Sequence, residues 1–121
     1  MKIFVSIAGV LAWLIGAMLL LMPAEFYAPT GIALTPMLET IAQAHGATLF
    51  GLGVVNWLAR SAEGKGLLAV LAGNFVVQFL SLLVALRTMM LGAGMGVAPA
   101  LVIHIVLGSL FAFFWLKARK M

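Results

Sequence analysis

Apolar residues run along this chain in four long stretches, about residues 3–22, 37–59, 66–90 and 99–116. Each is close to the ~20 residues that cross a ~30 Å hydrocarbon core at ~1.5 Å per residue. The second carries several polar groups and fits that description least well. The pattern predicts an all-α integral membrane protein, a single domain over residues 1–121 built as an up-down bundle of four transmembrane helices. The link over 61–66 is short, so the second and third helices are expected to be antiparallel neighbours. The connection over 23–36 is the longest and is expected to pack along the outer surface. Gly92, Gly94 and Gly96 mark the remaining outer turn. Thr35 before Pro36 is a helix start, a capping hydroxyl followed by a proline where no amide donor is needed. The first stretch is too long for the ~7–15-residue apolar region of a signal peptide, and Met22-Pro23-Ala24 is a poor cleavage site, so it reads as a retained helix. No internal repeat or low-complexity segment is evident.

Composition sharpens this picture. Hydrophobic residues make up 65% of the chain and charged residues 8%, against about 45–50% and about 25% in soluble domains. So few charges cannot coat a water-facing surface. The net charge of +4 comes from seven basic and three acidic side chains. Lys2, Arg60, Lys65, Lys117, Arg119 and Lys120 fall on one side of the four-span plan and Arg87 on the other, which places both termini in the cytoplasm. The excess is therefore an orientation signal with some attraction to anionic lipid, and not a nucleic-acid footprint. Trp57 and Trp115 then lie at the cytoplasmic interface, and Phe26 and Tyr27 at the outer one. There is no cysteine, which excludes disulfides, thiolate nucleophiles and iron–sulfur clusters.

Within the helices, candidate packing and chemical residues separate by face. Ala8, Ala12 and Gly16, widened by Gly9, form a small-residue face on the first helix, the kind that lets helix backbones approach closely in lipid. On the second, a 100° step per residue aligns Glu39, Gln43, Gly46, Phe50, Gly53 and Trp57, with His45 and Asn56 at the margin. Glu39 in the first turn complements the helix dipole, or serves as an acid at a pocket mouth. On the third, Asn74, Gln78, Ser81, Ala85 and Thr88 share a side, with Gln78 roughly 18 Å from Gly66 and so near mid-membrane. These amides either bond across a helix interface or line a cavity for a polar-headed apolar molecule. Arg87 is on the opposite side and can reach the interface as an anchor.

His104 shares a face of the fourth helix with Gly108, Phe111 and Trp115. It and His45 lie at similar depth, roughly 8 and 12 Å below the outer boundary. Both are expected to face the bundle interior. An intramembrane histidine is a site hypothesis by default. The readings open for this pair are interhelical hydrogen bonding, ligand or proton binding, and bis-histidine ligation of haem. No zinc set, serine-hydrolase, phosphate-loop or dinucleotide motif is present.

The segment Ala42-Gln43-Ala44-His45-Gly46-Ala47-Thr48-Leu49-Phe50-Gly51-Leu52-Gly53-Val54-Val55-Asn56-Trp57-Leu58-Ala59-Arg60 resembles the second-helix signature of small DoxX-like bacterial membrane proteins. Met22-Pro23, Thr30-Gly31 and the basic end of the last helix extend the resemblance to the whole plan. Gln43 and His45 stand where members of that group often have an arginine or an aromatic. The resemblance implies the four-helix fold, a bacterial inner membrane location and an accessory or lipophile-binding role near redox complexes; it carries over no catalytic residue. Two functions are thus expected to compete. One is a non-enzymatic accessory subunit that packs against a larger membrane partner or a further copy of itself. The other is a binding or redox module for quinone or haem, with Glu39, Gln43, His45, Asn74, Gln78 and His104 as its polar centre. The lack of a complete catalytic constellation favours the first.

Overall fold

The computed structural model describes residues 1–120, with 93–95 described by their backbone alone. Among the described residues there are helices and turns and no strand. Four long helices cover the four apolar stretches: α1 (Lys2–Leu21), α3 (Pro36–Ala59), α4 (Gly64–Thr88) and α5 (Ala98–Ala118), with a five-residue helix α2 (Pro23–Tyr27) between the first two. The chain divides into two compact units at Ser61. Each is a helical hairpin, α1 against α3 and α4 against α5.

In the first hairpin, Pro23 starts α2 at a position that needs no amide donor, directly after Met22 leaves helical geometry. A 3-10 turn over Ala28–Thr30 follows, in which the Thr30 hydroxyl donates to the Tyr27 carbonyl at 2.6 Å. Thr35 then caps α3. Its backbone is extended and its Oγ1 accepts from the Leu38 amide at 3.3 Å, with Pro36 at the first helical position.

Buried positions of α1 are Val5, Ala8, Gly9, Ala12, Gly16 and Leu19; those of α3 are Ala42, Gly46, Gly53 and Asn56. Steps of three and four residues along both helices are the spacing of a shallow-angle helix pair. The contact itself is backbone on backbone. A Cβ at Gly16 would stand 2.6 Å from the Phe50 amide nitrogen, one at Gly46 2.7 Å from the Gly16 carbonyl oxygen, and one at Gly53 2.5 Å from Cδ1 of Trp13 and 2.8 Å from the Gly9 carbonyl oxygen. No side chain larger than hydrogen fits these three positions without moving a helix. Ala8 and Ala12 continue the same narrow face. The pairing of Gly9 with Gly53 and of Gly16 with Gly46 defines an antiparallel register, which brings Lys2 level with Arg60.

In the second hairpin, Leu67, Leu71, Asn74, Gln78 and Ala85 of α4 are buried, as are Gly108 and Phe111 of α5. The spacing is again three and four. The turn begins where Gly92, at φ +92°, takes a left-handed conformation that L side chains rarely adopt. Arg87 is exposed in the last turn of α4.

Among the described residues three segments are long and apolar enough to cross a membrane: α1, Gly64–Gly92 and α5. The second long helix, α3, is diluted by Glu39, Thr40, Gln43, His45, Thr48 and Asn56 and falls outside that group.

Leucine at Gly46 or Gly53 is expected to separate α1 from α3, lowering the midpoint of thermal unfolding in detergent by the equivalent of about 1–3 kcal/mol or more of overpacking. Gly51, with open space around it, is the control. Equal melting of Gly46→Leu, Gly53→Leu and Gly51→Leu would show that the glycine contact does not hold the hairpin.

Candidate functional site

The polar residues of the second hairpin converge on one pair. Gln78 of α4 is 8% exposed, and His104 of α5 is half-buried one turn before Gly108. Gln78 Oε1 and His104 Nδ1 are 2.7 Å apart. An amide oxygen has no proton to give, so the imidazole Nδ1–H donates and the tautomer is set by this bond. A Cβ at Gly108 would lie 3.4 Å from Gln78 Cβ, at the edge of ordinary contact. Gly108 therefore eases the approach of α5 without being the only residue that permits it.

Asn74 lies one turn before Gln78, 3% exposed, and its Nδ2 donates to the Val70 carbonyl at 2.9 Å. Asn74, Gln78 and His104 thus form a short polar row within an otherwise apolar hairpin. Such a row aligns the two helices, because an amide left without a partner in an apolar medium costs far more than one that is paired.

The first hairpin distributes its polar groups differently. Glu39 is exposed in the first turn of α3 and Gln43 is half-buried. His45, expected to face inward, is exposed. The seam of α3 is centred on Ala42, Gly46 and Gly53, and a 100° step carries His45 off its edge. Asn56, expected at the margin, is instead 1% exposed. His45 and His104 therefore belong to different hairpins and occupy different environments, one exposed and one bonded to Gln78. Among the described residues no group of three or more His, Asp or Glu gathers to hold a metal ion.

An aromatic column is the feature that residue-type reasoning passed over. Trp13 of α1 lies against Gly53, its ring 5.4 Å from that of Trp57 and 6.3 Å from that of Phe50. Its indole Nε1 is buried without a hydrogen-bond partner. Arg60 closes the column, its guanidinium carbon 4.4 Å from the centre of the Trp57 ring. The signal was the gap at Gly53, wide enough for an indole edge. A shallow depression on α1, over Ser6, Ile7, Val10 and Leu11, is apolar and open; no polar groups converge on it.

No family model, curated protein or solved structure matches this chain.

Replacing either Gln78 or His104 by leucine strands its partner's polar group, a loss of about 1–3 kcal/mol. The double replacement is expected to cost less than the sum of the two, measured by unfolding in a double-mutant cycle. Additive effects would mean that the pair does not couple α4 to α5.

Proposed function

We propose that this chain is a multi-pass protein of the bacterial inner membrane, crossing it four times with both termini in the cytoplasm, and that it acts as a non-enzymatic accessory subunit. The four-crossing reading is supported by the three long apolar segments and by the length of α3. At ~1.5 Å per residue, its 24 residues reach about 36 Å. Within it Asn56 is buried and the Thr40 and Thr48 hydroxyls bond to carbonyls four residues earlier, which lowers the cost of carrying a polar helix across. The orientation is supported by the basic residues, which gather at the start of α1 and α4 and at the end of α3 and α5. The similarity to DoxX-like proteins belongs to this proposal and rests on the α3 segment.

The observation that carries the accessory reading is the Gln78–His104 hydrogen bond. It joins the two central polar groups of the second hairpin across the helix interface, which suits a structural part. Wide apolar faces remain exposed, including Leu14, Met18, Leu80, Val84, Val102 and Val106. These suit contact with lipid and with a larger membrane partner. A second reading, a module for quinone or haem, is favoured by the row of Asn74, Gln78 and His104 within a single hairpin.

Two measurements test these readings. Reporter fusions after Met121 and within 23–36 are expected to label opposite faces of the membrane; same-side labelling removes the four-crossing plan. Extraction in mild detergent is expected to retain a stoichiometric membrane protein. Recovery of the chain alone with bound quinone or a Soret band would replace the accessory reading by the second.

A further inference from the structure

Both hairpins end in the same device. At the close of α3, the Arg60 guanidinium lies over Trp57 and its Nη1 donates to the Trp57 carbonyl at 2.5 Å. At the close of α5, the Arg119 guanidinium carbon is 5.0 Å from the centre of the Trp115 ring. The arginine follows the tryptophan by three residues in one case and four in the other. In each, a leucine directly after the tryptophan is exposed, Leu58 at 73% and Leu116 at 51%.

We propose that these two Trp–Arg pairs are headgroup sites for anionic phospholipid, one at the basic end of each hairpin, an inference that rests on the membrane reading above. Stacking on an indole and, for Arg60, hydrogen bonding to a helix C-terminal carbonyl hold the cation in place where it is also favoured by the helix dipole. A guanidinium has five N–H donors in a rigid fork that matches a phosphate, and at Arg60 the Trp57 carbonyl takes one of them. Charge reinforces each site. Lys2 is level with Arg60 in the register of the first hairpin. Lys65, at the start of α4, comes to the same end of its hairpin as Lys117, Arg119 and Lys120, where Glu63 offsets one of these four charges. The opposite end of the first hairpin carries Glu25 and Glu39, both exposed, so in that hairpin an anionic headgroup is attracted to one end only; the opposite end of the second carries Arg87 with no tryptophan one turn before it. Leu58 and Leu116 point to lipid over free phosphate, since an acyl chain descending from the headgroup needs an apolar surface beside the tryptophan and an inorganic ion does not.

The test is retention of lipid by the full chain, purified from membranes and offered equal amounts of phosphatidylglycerol and phosphatidylcholine in mixed micelles, then read by native mass spectrometry. The wild type is expected to prefer phosphatidylglycerol by about five-fold per site. Arg60→Gln and Arg119→Gln each remove one retained lipid, and the double variant loses most of the preference, keeping only what the neighbouring lysines supply. Arg60→Lys and Arg119→Lys keep the charge without the fork, and should fall between wild type and the glutamine variants; this series remains readable if a glutamine variant does not fold. Equal retention of both lipids by the wild type, or an undiminished preference in the double glutamine variant, overturns the proposal. Displacement of phosphatidylglycerol by millimolar inorganic phosphate overturns the assignment to lipid. Failure of the membrane reading would show separately, as release of the chain from membranes by alkaline carbonate.

Discussion

Close approach of two helix backbones at Gly16–Gly46 and Gly9–Gly53 is the contact on which the first hairpin depends. Hydrophobic burial between helices has little force where the surroundings are themselves hydrocarbon, so van der Waals contact and the few polar bonds decide which faces meet. Removing every atom beyond Cα at these positions lets α1 and α3 touch along their length. The larger side chains on the same helices, Ile3, Ile7, Leu14 and Leu58 among them, are left exposed. In water that distribution would be an aggregation hazard. In a bilayer it is the expected surface.

The second hairpin solves the same problem by other means. Its glycine at the seam, Gly108, does not bring backbone against backbone in the manner of Gly46. It places α5 beside Gln78, and the specific bond to His104 does the aligning. A polar bond is directional where a glycine contact is not. One pair can therefore set the rotation of α5 about its axis even though that helix is apolar nearly all round. Small residues on one side and a single amide–imidazole bond on the other give two hairpins of similar length different sources of specificity.

Much of the helical plan was legible from the residues. Four apolar stretches became four long helices, and the Thr35-Pro36 start was readable because a cap is a local arrangement of a few atoms. The seam of α3 was less legible for a physical reason. A stripe drawn through the polar residues Glu39 and Gln43 assumes that polarity marks the inward side. Gly46 and Gly53 of that stripe do form the seam, but size moved its centre: Ala42 joins them, Asn56 follows them inward, and Glu39 and His45 lie off the α1–α3 contact. The rotation is a fraction of a turn, and no propensity scale resolves it, because the competing faces differ in how closely a backbone can approach and hardly at all in hydrophobicity. The Gln78–His104 bond was likewise only half visible. Both residues stood out as candidates, but their pairing depends on the axial register of α4 and α5, which the turn between them sets.

The aromatic column of the first hairpin joins the packing seam to the end of α3. Gly53 is small because Trp13 rests on it; Trp13 packs against Trp57; and Trp57 carries Arg60 at the helix end. A change at the seam is therefore transmitted to the end of α3 through contiguous side chains, with no conformational switch required. The fixed point of that column is Gly53, where a Cβ would collide with both the indole and the Gly9 carbonyl. Any larger residue there must move α1 away or turn the Trp13 ring out of the seam, and either outcome disturbs the surface against which Trp57 is packed. The position of the guanidinium at the end of α3 thus depends on a hydrogen atom in place of a side chain at Gly53, seven residues earlier on the same helix.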